Sequence, residues 1–387
     1  MAASLLPLLC FSLSLFSFSL SKKALIFPVT KDSLTLQYLT QIRHGNPLQP
    51  TKLVLDLGAP LIWMDCEANS GSGSSSGRLI SCGSIQCLAA KSTVDKLKKM
   101  GNGGKLVEDI VAVDLAGEIT AGEYSFLFVC SPKSLLNGLA IEARGMVGLG
   151  RSRIALPSQI SQALASKWQF SLCLSSSNGV VLYENGHQSS YFGSELSKSL
   201  IYTPLLQDGS SSSQYFINLK SIQIGGKKLS LDLKSTKLST IVPYTTMATS
   251  IYTLFVKAYE KAASSLNMTR VESVAPFGLC FASETIRRTA GGQEVPVIDL
   301  TLQSEMVKWR IYGRNSMVKV SDKVVCLGFL DGGLNMEESV VLGGFQLEDV
   351  LLHFDVGASM LGFSPSLLLK QTSCSNFNLD STSIESL

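Results

Sequence analysis

The chain has 387 residues, of which 45% are hydrophobic and 16% are charged, and its formal net charge is +3. A chain of this length can form two lobes with separate hydrophobic cores. The weak positive charge, the lack of a basic stripe and the lack of zinc-type Cys and His spacing argue against nucleic-acid binding. We therefore expect a soluble, well-packed protein without a metal site or a cofactor.

The first 21 residues are uncharged and consist largely of Leu, Phe and Ser. Such a stretch is typical of a secretory signal peptide, and Ser19 and Ser21 are small residues suited to the cleavage site. A membrane anchor is the weaker alternative, because serines interrupt the stretch and no second long apolar segment follows. We expect cleavage and secretion to the extracellular space or cell wall, without membrane association afterwards.

Cysteine usage agrees with secretion. Nine cysteines occur, and Cys10 would be removed with the signal peptide. An even number of remaining cysteines in a secreted chain predicts disulfides. The remaining cysteines are Cys66, Cys82, Cys87, Cys130, Cys173, Cys280, Cys326 and Cys374. The sequon Asn267-Met268-Thr269 makes Asn267 a candidate N-glycosylation site.

Short β-strands separated by glycine turns are predicted in the first half of the chain. Alternating or continuous apolar residues predict strands near residues 32–38, 52–55 and 123–130. Residues 145–150 form a glycine-spaced turn that lacks the pattern of a nucleotide-binding loop. Pro157 favours the first turn of a short helix.

The second half begins a similar series of elements. Residues 215–226 alternate and end in two glycines, which is a hairpin signal. Residues 238–244 predict an apolar strand that runs into a turn. A helix follows, which Ser250 is expected to cap. Its predicted apolar face consists of Ile251, Leu254, Phe255, Ala258 and Tyr259.

The two halves share one layout, in which a strand runs into a special turn and a glycine-rich strand end follows later. Many short strands and few helices are typical of a mostly-β fold. We predict two β-barrel lobes around a central cleft. The predicted divisions are a signal peptide at residues 1–21, an N-terminal lobe at 22–200 and a C-terminal lobe at 201–387.

The stretch from Leu53 to Trp63 places Asp56 at the end of an apolar strand, before a turn at Gly58. It resembles the active-site turn of pepsin-type aspartic proteases, in which an apolar strand runs into Asp-Thr-Gly-Ser. Leu57 and Ala59 stand where that family has Thr and Ser. Further resemblance covers nearly the whole mature chain and includes residues 145–151, 215–226 and 341–345.

Residues 63–67, 315–318 and 374–378 resemble one plant subgroup in particular. This subgroup comprises basic 7S globulins, extracellular dermal glycoprotein, nectarins and xylanase-inhibitor-like proteins, and it is known for lost proteolysis. The resemblance implies a bilobal pepsin-like aspartic-protease fold. It also implies disulfides between Cys66 and Cys130, Cys82 and Cys87, Cys173 and Cys374, and Cys280 and Cys326.

An aspartic protease needs two carboxylates that share one proton. The second carboxylate should follow the apolar strand of the second half, yet residues 239–246 contain neither Asp nor Glu. We place the missing aspartate at Pro243, give or take one residue. Asp56 is then a vestigial residue that supports its own turn, and we predict a pseudo-protease rather than an enzyme.

Without catalysis, the resemblance implies protein binding. Relatives in this subgroup inhibit glycoside hydrolases of the xylanase or xyloglucan-specific endoglucanase type, with basic side chains on lobe-edge loops near the two acids of the enzyme. Arg314 and Lys370 are the candidate contacts in this chain, although both can equally be ordinary surface cations. We expect an inhibitor in plant apoplast defence. The alternatives are a storage or signalling globulin without inhibitory activity and a residual aspartic-type endopeptidase.

Overall fold

The computed structural model describes residues 24–66, 74–81, 83–88, 90, 104–115, 122–184, 191–206, 213–233, 235–289 and 292–377. The predicted signal peptide lies outside these residues, and so does Cys82. Within the described part of the chain, no helix is long and apolar enough to cross a membrane.

The strands of the first half are two to eleven residues long. They are β1 (Ala24–Lys31), β2 (Tyr38–His44), β3 (Gln49–Asp56), β4 (Trp63–Met64), β5 (Arg78–Leu79), β6 (Lys105–Leu115), β7 (Gly122–Cys130), β8 (Gly145–Gly148), β9 (Gln169–Cys173) and β10 (Asn178–Glu184).

The strands after residue 200 are shorter still. They are β11 (Ile201–Leu206), β12 (Phe216–Asn218), β13 (Ser221–Ile224), β14 (Lys227–Lys228), β15 (Ser235–Leu238), β16 (Thr245–Met247), β17 (Arg270–Val271), β18 (Cys280–Ala282), β19 (Arg288–Thr289), β20 (Gly292–Gln293), β21 (Ile298–Thr301), β22 (Lys308–Ile311), β23 (Met317–Lys319), β24 (Val324–Leu327), β25 (Phe329–Asp331), β26 (Val340–Leu342), β27 (Leu351–Asp355) and β28 (Met360–Phe363).

Helices are few and mostly short, as the sequence predicts. The α-helices are α1 (Leu156–Ala163), α2 (Ser194–Lys198), α3 (Thr249–Ser264), α4 (Gly313–Ser316) and α5 (Gly344–Leu347), and the 3-10 segments are Lys133–Leu136, Ser283–Thr285, Leu367–Lys370 and Cys374–Asn376. The mostly-β fold class is confirmed.

One antiparallel sheet joins the two halves, with strand order β1-β10-β9-β27-β28-β11. Its centre is the pair β9 and β27, which come from different halves and place Phe170 opposite Phe354. These two buried rings stack with centroids 4.8 Å apart, and the Tyr215 ring lies 4.7 Å from Phe354. Aromatic pairs of this kind stabilise a core beyond simple burial, and here they pack the two halves against one another within this sheet.

The long helix α3 differs from its prediction in two details. It begins at Thr249, and Ala248 rather than Ser250 occupies the position before the first turn, without a side-chain cap. Leu254 is 50% exposed. The buried stripe follows a strict spacing of four residues through Ile251, Phe255, Tyr259 and Ala263, and Leu254 lies beside that stripe.

Disulfides connect Cys66 with Cys130, Cys173 with Cys374 and Cys280 with Cys326, as the resemblance implies. Cys87 is a free cysteine, so its expected bond is not formed, and its expected partner Cys82 is outside the described residues. The bond from Cys173 to Cys374 spans 201 residues. Closing so long a loop contributes about 5 kcal/mol on the chain-entropy model and holds the C-terminal segment against β9.

Candidate functional site

The first turn of the candidate cleft begins where β3 ends at Asp56. The Asp56 carboxylate oxygen Oδ1 accepts a hydrogen bond from the backbone N–H of Gly58 at 2.8 Å. The Asp56 backbone carbonyl accepts one from Leu149 at 2.9 Å. Burial raises the pKa of the Asp56 carboxyl, and the N–H groups of Gly58 and Ala59 oppose that rise. Asp56 therefore holds its own turn together and is harder to ionise than a surface aspartate.

The second turn contains a structural counterpart of Asp56, which is Ser239. In the first half, β3 and β8 run parallel and pair Leu55 with Val147. In the second half, β15 and β26 run parallel and pair Leu238 with Leu342. The residue that follows Leu55 is Asp56, which still pairs with Gly148, and the residue that follows Leu238 is Ser239.

Hydrogen bonding supports this equivalence. The Ser239 hydroxyl oxygen accepts from the backbone N–H groups of Ile241 and Val242, each at 3.2 Å. Ile241 lies two residues beyond Ser239, as Gly58 lies two residues beyond Asp56. A neutral hydroxyl thus fills the structural role that a carboxylate fills in the first turn.

The predicted position of the missing aspartate, at Pro243, is therefore wrong. Strand β15 ends at Leu238, whereas the sequence pattern predicts a strand that continues to residue 244. The position of the missing acid, at Ser239, is accordingly four residues earlier than predicted. Pro243 lies farther along the turn, and its carbonyl accepts a hydrogen bond from Phe345 at 2.9 Å. The sequence signal that was missed is Ser239-Thr240, which keeps the Thr of the family motif.

Thr240 connects the two turns, a role that the sequence analysis does not assign to it. Its hydroxyl accepts from the backbone N–H of Leu57 at 3.0 Å and donates to the carbonyl of Leu55 at 2.7 Å. Both bonds are buried and cross from one lobe to the other. Leu57 is itself fully buried. It has no hydroxyl, so its side chain cannot form a hydrogen bond to the second turn. The two turns are held together, although only one of them supplies a carboxylate.

Arg314 lies on the exposed side of α4, a short helix that buried neighbours hold in place. The Asn315 side-chain amide donates to the carbonyls of Phe345 at 3.0 Å and Glu348 at 2.9 Å. Gln346 donates to the Asn315 carbonyl at 3.0 Å, and its own amide oxygen accepts from the Thr245 backbone N–H and hydroxyl. These bonds connect α4 to the second turn through α5.

Lys370 is exposed at the end of the 3-10 segment Leu367–Lys370. The backbone N–H of Leu367 donates to the Asp349 carbonyl at 2.8 Å. The Asp349 carboxylate accepts from the N–H of Cys374 at 3.0 Å and from the Ser373 hydroxyl at 2.7 Å. Glu348 and Asp349 are consecutive residues. The Glu348 carbonyl binds the Arg314 helix through Asn315, and Asp349 binds the Lys370 segment through Leu367.

Glu348 also joins the two lobes. Its Oε1 lies 2.6 Å from the Lys31 ammonium nitrogen at the end of β1. The Tyr38 hydroxyl donates to the same oxygen at 2.9 Å. Burial raises the pKa of the Glu348 carboxyl, and the charge of Lys31 opposes that rise. No local pattern in the sequence predicts this contact, because 317 residues separate the two partners.

Asn267 is exposed and lies at the C-terminal end of α3, where its φ is +58°. The N–H groups of Asn267 and Met268 donate to the carbonyls of Ser264 and Ala263, each at 3.1 Å. This closes the helix in the manner of a Schellman motif, in which asparagine tolerates the left-handed conformation. The sequon therefore has a structural use as well, and glycosylation stays a prediction. Among the described residues, no group of three or more His, Cys, Asp or Glu side chains could hold a metal ion.

Comparisons with known proteins show which family the chain belongs to. Family models described as xylanase inhibitor N-terminal and xylanase inhibitor C-terminal match residues 38–183 and 214–365. A relative from Nicotiana benthamiana, named probable aspartic proteinase GIP2, is 42% identical over 414 residues, covering 94% of this chain and 93% of that protein. The chain belongs to this xylanase-inhibitor-like family of pepsin-related proteins.

Solved structures of the family have the same fold. The crystal structure named edgp has a TM-score of 0.84 and 40% identity, covering 92% of this chain and 98% of that one. The soybean basic 7S globulin has a TM-score of 0.80 and 26% identity, covering 92% and 99%. The predicted subgroup and the bilobal pepsin-like fold are confirmed.

Proposed function

We propose that this protein is a secreted, catalytically inactive family member that binds and inhibits a glycoside hydrolase of the endoglucanase or xylanase type in plant apoplast defence. The observation that carries the proposal is that Ser239 stands in the second turn at the position that Asp56 holds in the first, while Thr240 joins the two turns. It leaves the protease scaffold assembled but without its second acid, while cations are presented on loops at another part of the surface.

The loss of catalysis follows from the chemistry of the pair. Peptide hydrolysis by this fold needs one carboxylate to activate water and one carboxylic acid to polarise the carbonyl. A serine hydroxyl cannot take either role at acidic pH, because it neither ionises nor readily donates its proton. Residues 239–246 offer no other acid. We infer that Asp56 and Ser239 are structural residues.

Binding to a glycoside hydrolase is supported by the position of Arg314 and Lys370. These enzymes work with two carboxyl groups that flank the scissile bond. A guanidinium can bind such a carboxylate through two parallel hydrogen bonds, whereas a lysine ammonium acts as a point charge. Arg314 and Lys370 extend from segments that Asn315 and Asp349 hold to the same part of the second lobe, so little ordering is needed on binding.

Secretion is supported by three disulfides, which form and persist in oxidising compartments. Expression of the full chain in plant cells, followed by N-terminal sequencing of the protein from the medium, tests this part. A mature N-terminus near residue 22 is expected, and retention in the cell with an intact first residue would count against it.

The inhibition itself is tested with a xylanase and a xyloglucan-specific endoglucanase. We expect inhibition of at least one of them by the purified mature protein. Replacing Arg314 and Lys370 together by alanine should weaken it by about 2 kcal/mol or more, as truncated hot-spot contacts do. The matched control replaces Lys220 and Lys227, two exposed lysines of the same lobe, by alanine. An unchanged inhibition constant for the first variant would remove Arg314 and Lys370 from the mechanism.

Two other functions remain to be distinguished by experiment. Similarity to the soybean basic 7S globulin favours a storage or signalling globulin, which inhibits neither enzyme. The name of the Nicotiana benthamiana relative, probable aspartic proteinase GIP2, favours an endopeptidase. In that case the pure protein would cleave a denatured substrate at acidic pH, and replacing Asp56 by asparagine would abolish the cleavage.

A further inference from the structure

A small hairpin beside Arg314 carries two more exposed arginines, Arg287 and Arg288. It consists of β19 and β20, in which Arg288 pairs with Gln293. The backbone N–H of Glu294 donates to the Arg287 carbonyl at 2.8 Å and closes its base. Residues 290 and 291, which follow β19 in the chain, are outside the described part of it.

Two glycines pack this hairpin directly against the backbone of α4. Gly292 has φ +99°, and a Cβ there would lie 2.7 Å from the Arg314 nitrogen. A Cβ at Gly313 would lie 2.1 Å from the Gln293 carbonyl oxygen. Side chains at either position would separate the two segments. The hairpin and the Arg314 helix therefore form one closely packed unit, which the buried Asn315 amide anchors to the lobe.

The charges on this unit are unbalanced. Three other exposed arginines of the described chain pair with carboxylates, namely Arg78 with Glu108, Arg270 with Glu260 and Arg310 with Asp299. Arg144 and Arg153 are exposed without such a partner among the described residues, but they lie apart from each other in the chain, whereas the hairpin and α4 bring three arginines into one unit. Within the described residues, the salt bridges do not include Arg287, Arg288 or Arg314. The carboxylates nearest to the hairpin along the chain are those of Glu284 and Glu294, and neither forms a salt bridge with these arginines in the described structure.

We propose that Arg287 and Arg288 extend the docking surface of Arg314, so that the unit of hairpin and α4 binds a protein surface rich in Asp and Glu carboxylates. This inference rests on the proposed function and adds a second contact region to it. Arg314 faces the catalytic acids of the bound hydrolase, and Arg287 and Arg288 face acidic side chains that border its active site. Clustered guanidinium groups accelerate association with such a surface and suit bidentate carboxylate binding.

The test compares three charge-reversal variants of the purified mature protein. The variant of the hairpin is Arg287→Glu/Arg288→Glu, and the variant of the helix is Arg314→Glu. The matched control is Lys220→Glu/Lys227→Glu, which changes the net charge by the same amount as the hairpin variant. Lys227 lies in β14, at the edge of its sheet opposite β22, the strand that leads into α4. Binding to the xylanase and the endoglucanase is measured by surface plasmon resonance at low and high salt.

We expect the hairpin variant to lower the association rate constant about tenfold or more at low salt, with a weaker salt dependence than the wild type. The control should change it by no more than about threefold, because its lysines lie outside the contact. Arg287→Lys/Arg288→Lys should retain most of the rate, since the charges remain. Circular dichroism and thermal unfolding of each variant check the fold.

The possible failures are distinguishable. If Arg314→Glu loses binding while the hairpin variant behaves like the control, the docking surface ends at α4 and this inference is overturned, whereas the proposed function stands. If the association rate constant of the control falls as much as that of the hairpin variant, the net charge alone accounts for the effect, and the inference is likewise overturned. If the wild type binds neither enzyme, both the inference and the inhibitor proposal fail.

Discussion

Lys31 and Glu348 form an ion pair between the two lobes, with side chains that are only 10% and 5% exposed. The Lys31 ammonium nitrogen also lies 5.3 Å from the centre of the Tyr38 ring. Glu348 and Asp349 in turn hold the Arg314 helix and the Lys370 segment. One buried contact thus connects the docking of the lobes with the placement of the candidate binding loops.

Breaking this pair should be costly. Replacing Lys31 by Met leaves the Glu348 carboxylate buried without its counterion, and we expect a loss of about 3 to 5 kcal/mol in the free energy of unfolding. The matched control is Lys228→Met, since Lys228 and Glu305 are 58% and 62% exposed at 3.2 Å and such a surface pair contributes about 1 kcal/mol or less. Equal losses in urea unfolding would contradict the prediction.

Thr240 provides a second test of the contact between the lobes. Thr240→Val keeps the shape of the side chain but removes the hydroxyl that serves Leu57 and Leu55. The N–H of Leu57 then stays buried without an acceptor, and we expect a loss of about 2 kcal/mol or more of stability. Thr253→Val, on the exposed face of α3, is the control and should change stability by about 0.5 kcal/mol or less. A neutral result at Thr240 would show that the turns do not depend on its hydroxyl.

The buried Asp56 carboxyl should make the free energy of unfolding depend on pH. Its pKa in the folded protein is raised by burial, so the folded state binds the proton more tightly than the unfolded chain does. The resulting stabilisation is fully present below the unfolded pKa and is lost as the pH rises through the folded pKa. Relative to Asp56→Asn, the wild type should therefore lose stability over that interval. The difference between the two unfolding free energies, measured from acidic to neutral pH, is the readout, and an opposite slope would refute the prediction.

Ser239→Asp distinguishes Ser239 from Pro243 as the positional counterpart of Asp56. A second carboxylate opposite Asp56 repels the first and raises the pKa of the pair. The variant should therefore lose stability as the pH rises, more steeply than Pro243→Asp. We expect neither variant to cleave a denatured substrate at acidic pH, because Leu57 and Ala59 still lack the hydroxyls that orient Asp56. Similar pH profiles for the two variants would count against the assignment of Ser239.

The sequence alone determines the fold class, and it shows that the second half lacks an acid where a protease would need one. Alternating short strands predict a mostly-β chain, and the segments around Asp56 and residues 341–345 predict the family. The lack of any acid in residues 239–246 already excludes a second catalytic carboxylate there. These features are local, because strand periodicity and residue identity can be read within a few positions.

The tertiary structure decides which residues meet. Ser239 becomes the counterpart of Asp56 because β15 pairs with β26 and ends at Leu238. The local signal, Thr240 in the place of the family's Thr, is too short to mark that end by itself. Lys31 contacts Glu348 although 317 residues separate them. Gly292 contacts the backbone of Arg314 because a hairpin packs against a helix. Such contacts depend on the register between distant strands and on backbone approach at glycines. Both are set by the burial of the whole core rather than by any single segment.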